Sequence, residues 1–147
     1  MDGREEVDFI AELRMHGLHV THQRLAVYQA LHSSREHPSA ETLYQLVKKR
    51  FPMISLGTVY KTLERFRDVG LIQKVSPLTD VARYDARTFC HVHMVCLKCQ
   101  SIQDVDELLP DPKLMHWERN GFKVVNQQVL LQGYCALCCK STGMLTP

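Results

Sequence analysis

Two cysteine pairs, Cys96-x-x-Cys99 and Cys135-x-x-Cys138, constrain what this chain can fold into more than any hydrophobic pattern does. Two residues between thiols is a chelating spacing, and four thiolates close a tetrahedral sulfur site that suits Zn(II) and keeps no open position. Such a site staples a fold and does no chemistry of its own. The intervening segment, 100–134, is longer than a compact zinc ribbon uses, so the metal would tie the start of a C-terminal sheet to the chain's end. Cys139 follows Cys138 directly, and the tighter two-residue chelate favours Cys138 as the ligand. A redox-active pair would need a thioredoxin-like βαβ context, which is not evident. His91-x-His93, just upstream, must then serve a second site.

The chain of 147 residues can bury one sizeable core or two small ones. Met1 to Leu13 carries Asp2, Glu5, Glu6, Asp8 and Glu12 without a long apolar run, which argues against a signal peptide or membrane span. The expectation is a cytoplasmic protein with reduced thiols and no membrane partner. The net charge of +2 is too small to name a partner, yet it is unevenly spread. From Leu13 to Arg83 eleven Lys/Arg face five acids, whereas from Tyr84 onward six basic and six acidic residues cancel. A basic N-terminal module, 1–84, is thus expected before a neutral, metal-rich one, 85–147.

Helical spacing and capping residues predict helices over Val7–His16, Thr21–Ser33, Ala40–Arg50 and Leu56–Val69, with Thr21, Ser39 and Ser55 at or near their starts and Gly17 and Gly70 as stops. Short strands follow at Leu71–Val75 and Val81–Tyr84 around the turn Ser76–Asp80. That order is a winged helix-turn-helix. Beyond it, strands at His91–Cys96 and Ser101–Val105, a helix at Lys113–Asn120 and a strand at Phe122–Leu131 predict an α/β module, making the whole chain α+β. Apolar Val124, Val125, Val129, Leu130 and Leu131 would suit a sheet shared between subunits.

The fourth helix offers Ser55, Thr58, Tyr60, Lys61, Thr62, Arg65 and Arg67. Lysine and arginine would neutralise phosphates, and Tyr60 and Thr58 could meet thymine methyls in the major groove. A basic amphipathic helix is by itself more often a wet surface, and the hairpin after it strengthens the DNA reading. Ser55-Leu56-Gly57-Thr58-Val59-Tyr60-Lys61-Thr62-Leu63 followed by Gly70-Leu71-Ile72 resembles the recognition-helix motif of the ferric uptake regulator family. Thr21-His22-Gln23-Arg24-Leu25 is similar to the start of that family's second helix, with His22 where proline is usual, and Gly133-Tyr134-Cys135 to its final zinc pair. The resemblance covers nearly the whole chain. It implies a homodimer on a palindromic operator in double-stranded DNA, with Arg24, Tyr60 and Lys61 at the DNA, a structural zinc on Cys96, Cys99, Cys135 and Cys138, and a C-terminal dimerisation domain.

The remaining candidate ligands are His37, Asp85, His91, His93 and Asp104. His91 and His93 lie two apart on an expected strand and share a face. Taken alone, His37 reads as a loop histidine and the aspartates as surface carboxylates. The resemblance implies that all five hold a regulatory metal, and three imidazoles with two carboxylates favour Fe(II) or Mn(II). Arg83-Tyr84-Asp85 together with Asp104 resembles the peroxide-sensing branch, whose members oxidise ligand histidines corresponding to His37 and His91. The implied function is a metal-dependent, peroxide-responsive transcriptional repressor. Alternatives are a regulator of iron, manganese or zinc level, for which Cys90 beside His91 would be a soft ligand, and a small zinc hydrolase. The last lacks any His-Glu-x-x-His pattern. The family's auxiliary metal site is not expected, since Val92 and Gln127 stand where it needs ligands.

Overall fold

The computed structural model describes residues 3–75, 81–89, 91–105, 121–123 and 128–142. The chain divides into two compact units, Met1–Thr88 and Phe89–Pro147. Asp85 goes with the first unit rather than opening the second, because it pairs with Gln73 across the hairpin.

The first unit runs α1 (Gly3–Met15), α2 (His22–His32), α3 (Ala40–Lys48), α4 (Leu56–Asp68), β1 (Gln73–Val75) and β2 (Arg83–Asp85). Thr21, Ser39 and Ser55 each sit in extended backbone and accept from the amide three residues on, at 3.2, 3.2 and 3.0 Å, which satisfies donors that a helix start leaves open. Gly70 ends α4 at φ +74, a left-handed conformation that a side chain disfavours. Leu13, Val27, Leu43, Leu63 and Phe66 are buried in one core. Tyr28 joins it edge-on to Phe9 and Phe66, with ring centroids 5.4 and 5.7 Å away. Antiparallel β1–β2 then completes the winged helix-turn-helix order.

The second unit contains β3 (Val92–Cys96), β4 (Ile102–Val105), β5 (Val129–Gly133) and α5 (Ala136–Thr142). Its sheet order is β4-β3-β5, antiparallel between β3 and β4 and parallel between β3 and β5. The expected strand Phe122–Leu131 is displaced: Phe122 and Lys123 are exposed outside any strand, and pairing runs from Val129 to Gly133. The displacement follows from the sulfur pairs, because setting Gly133 opposite Cys96 carries Cys135 toward the first pair. The short helix α5 was not expected from the apolar pattern. Cys90, the turn Ser76–Asp80, the helix Lys113–Asn120, Val124 and Val125 lie outside the described residues. Among the described residues no helix is long and apolar enough to cross a membrane.

Candidate DNA-reading face and metal centres

Helix α4 buries Val59, Thr62, Leu63 and Phe66, the spacing of a single helical face. Ser55, Tyr60, Lys61 and Arg65 are therefore exposed and Thr58 half-buried. Thr62, one of the polar residues of the helix, is turned to the core instead. The Ser55 and Thr58 hydroxyls lie 2.8 Å apart in the capping turn. Arg24 donates through Nη1 to the His19 carbonyl at 2.8 Å, so its guanidinium is steadied by the α1–α2 turn. The Tyr60 hydroxyl donates to Glu41 on α3, a partner that no sequence motif indicates. That carboxylate pushes the Tyr60 phenol up to about 12, and the hydroxyl in turn holds Glu41 below the usual carboxylate range.

The four cysteines come from the end of β3 (Cys96), the following turn (Cys99), the residue before α5 (Cys135) and α5 itself (Cys138). Their sulfurs lie within 4.8 Å of one another, and Cys99 and Cys135 are 3.7 Å apart. Sulfurs about 2.3 Å from a common tetrahedral zinc would stand about 3.8 Å apart, so the cluster has the dimensions of a closed sulfur site. The Cys135 amide donates to the Cys96 sulfur at 3.3 Å. Backbone amides of Cys99 and Cys135 bring the Cys96 thiol down to about 6, and the Ser101 hydroxyl lowers Cys99. Burial, followed by the neighbouring sulfurs, pushes Cys138 up to about 12. The set thus includes sulfurs predisposed to be thiolate, as a metal ligand must be. Cys139 is not part of it: its sulfur donates to the Tyr134 carbonyl at 3.4 Å.

In the first unit, His37 and Asp85 are both buried, with Nε2 and Oδ2 3.5 Å apart. His37 has φ +48, an uncommon conformation for a residue with a side chain and one that tends to occur at ligand clamps. Asp85 is steadied by Gln73 Nε2 at 3.1 Å and the Arg87 amide at 2.8 Å. Neither supporting contact is marked by a motif.

In the second unit, His93 on β3 and His91 immediately before that strand have ring centroids 4.3 Å apart, and Asp104 lies directly across from His93 on β4. Asp104 Oδ1 stands 3.4 Å from His91 Nε2 and 3.7 Å from His93 Nε2. His91 Nδ1 is 2.8 Å from the Phe89 carbonyl. A carbonyl only accepts, so Nδ1 is the donor in this contact and Nε2 is the ring nitrogen left facing Asp104. Imidazole nitrogens and a carboxylate oxygen brought this close are the donor types of a cation site, and a second ring nitrogen fixed by a carbonyl is the usual support of a ligating histidine.

A winged helix with an outward basic face, joined to a unit built around metal-ligating clusters, defines a metal-responsive DNA-binding regulator. The model of the Ferric uptake regulator family matches residues 15–132, and the chain belongs to that family. It is accordingly a dimeric transcription regulator and not an enzyme. The peroxide-responsive repressor PerR of Staphylococcus epidermidis is 33% identical over 130 residues, spanning 88% of this chain and 87% of the relative. The solved ferric uptake regulator of Vibrio cholerae matches with a TM-score of 0.67 and 27% identity, over 84% of this chain and 96% of that one. PerR of Streptococcus pyogenes, solved for its peroxide sensing and gene regulation, matches with a TM-score of 0.51 and 30% identity, over 90% and 92%.

Proposed function

We propose that this chain is a peroxide-responsive repressor whose His37, Asp85, His91, His93 and Asp104 share one regulatory Fe(II) or Mn(II) ion, while Cys96, Cys99, Cys135 and Cys138 hold structural Zn(II). The observation that carries the reading is the trio of buried His91 and His93 with half-buried Asp104, both Nε2 atoms lying within 3.7 Å of one carboxylate oxygen. The His37–Asp85 pair supplies the same donor types from the DNA-binding unit. Neither half alone completes the shell of a divalent ion of this kind, so an ion holding both would couple the two units. It would stabilise the DNA-competent arrangement by its differential affinity for it. Similarity to peroxide-responsive repressors in two organisms supports the peroxide reading.

Fe(II), when bound, supplies the electron that cleaves the O–O bond of peroxide. The ligand imidazoles would be the nearest oxidisable groups: peroxide, as the two-electron oxidant, would leave one oxygen on the His37 or His91 ring and its other oxygen as water, and the oxidised ring would be a poorer nitrogen donor. Loss of that donor would weaken the hold on the ion and, with it, the operator-binding state. On DNA, Lys61 and Arg65 would neutralise phosphates, with further contacts from Tyr60, Thr58 and Ser55 of the same helix start and from Arg24 on α2. Similarity to a manganese uptake regulator favours a second reading, control by metal level alone.

One experiment separates them: operator binding by Fe(II)-loaded and Mn(II)-loaded protein before and after dilute peroxide, with peptide mass spectrometry on the same samples. Release only with iron, accompanied by a one-oxygen addition on His37 or His91, is the expected result. Iron-dependent binding that survives peroxide without histidine oxidation would leave the metal-level regulator.

A further inference from the structure

We infer that Glu41 is a positioning residue for operator recognition: by holding the Tyr60 hydroxyl proton, it turns Tyr60 from a phosphate contact into a reader of base edges. The inference rests on the DNA-reading role proposed above for α4 and names a residue outside it. Glu41 lies in the first turn of α3, next but one after the Ser39 cap, and meets Tyr60 across the helix-turn-helix. Both side chains are exposed, so the contact sits on the protein surface and not in the core. They border a cleft of about 330 Å³ also lined by Glu64, Arg67, Lys74 and Tyr84. Arg67 is held by Asp68 at 2.8 Å, which gives it a carboxylate partner of its own.

A tyrosine hydroxyl has one proton and two lone pairs, whereas phosphate oxygens only accept. Tyr60 can therefore bond a phosphate only by donating, and its proton is committed to Glu41. Bringing a phosphate to the same proton would also set two anions side by side. What Tyr60 still offers is its ring and the lone pairs of its oxygen. Those match the thymine methyl and the exocyclic amino groups of adenine and cytosine in the major groove. Phosphate contacts position a protein and base contacts specify sequence, so Glu41 bears on specificity more than on affinity. The shifts of both groups away from their ordinary values agree with a bond that holds at neutral pH.

The test uses full-length Mn(II)-loaded protein and the duplex that the wild type selects from a randomised pool. Dissociation constants are measured for that duplex and a scrambled one, across a salt series, for the wild type, Glu41→Ala, Glu41→Gln, Tyr60→Phe and the Glu41→Ala/Tyr60→Phe double variant. Glu41→Ala is expected to reduce the preference for the selected duplex about tenfold, the scale of one lost base contact. Glu41→Gln, which keeps an acceptor oxygen, should retain most of it, and in the Tyr60→Phe background Glu41→Ala should change little. Ultraviolet titration should show one phenol returning toward 10 in Glu41→Ala. Equal tightening on both duplexes would mean that Glu41 contributes only charge, and would overturn the inference, as would additive losses in the double variant. If the wild type selects a duplex and Glu41→Ala discriminates equally well, only this inference falls. If the wild type selects nothing, the DNA-reading role falls and takes the inference with it.

Discussion

Replacing Cys99 by serine tests the sulfur cluster with little disturbance of packing, because Cys99 is exposed in the turn after β3. A metal joining Cys99 to Cys135 closes a loop of roughly 35 residues, and the chain-entropy relation for a cross-link of that span gives about 4 kcal/mol. The unit it closes has about 60 residues, for which marginal stability of 0.05–0.15 kcal/mol per residue amounts to about 3–9 kcal/mol. The clip is therefore comparable to everything else holding β3, β4, β5 and α5 together. Small modules commonly depend on such a staple. The first unit has its own apolar core and should be unaffected. Hydrogen exchange on Cys99→Ser should show protection lost across Val92–Cys96 and Val129–Gly133 and kept in α2 and α4, with bound zinc lost in elemental analysis. Retention of protection in β3 and β5 after zinc is gone would refute the reasoning, and so would simultaneous loss in both units.

Phe66→Ala removes a fully buried ring packed edge-on against Tyr28 and should destabilise the first unit by about 3–5 kcal/mol in urea unfolding; less than about 1 would mean that the site collapses around the gap. Lys61→Ala should weaken binding similarly on specific and scrambled duplexes and lower the slope of log K against log salt by about 1, measured by fluorescence anisotropy. His93→Ala should lose Mn(II) binding and Mn(II)-dependent operator binding while elemental analysis still finds one zinc per chain, since the sulfur cluster does not use it.

Much of this was legible in the residues because local chemistry decided it. Thr21, Ser39 and Ser55 read as helix starts since each places a hydroxyl before an apolar periodic run, and each caps as expected. His91 and His93 lie together, as their spacing of two residues suggests, although His91 stands just before β3. The start of β5 was not legible: from Val124 to Leu131 the apolar residues offer several strand registers, and the choice is made by Cys135, which must reach Cys96. Asp85 illustrates another limit. Its supporting Gln73 lies twelve residues earlier and becomes a neighbour only when the hairpin closes. Glu41 was hidden for the same reason, being 19 residues from Tyr60 and on a different helix.

The parallel pairing of β3 with β5 makes the sulfur cluster a gauge of strand register. Gly133 stands opposite Cys96, two residues ahead of Cys135. A slip of one residue would carry Cys135 about 3.3 Å along the strand and turn every β5 side chain to the opposite face. Sulfurs now 3.7 Å apart could not share an ion after such a move. The slipped sheet would lose its metal, so each bound zinc certifies a correctly threaded sheet, and chains that trap the wrong pairing would stand out in a preparation as metal-free protein.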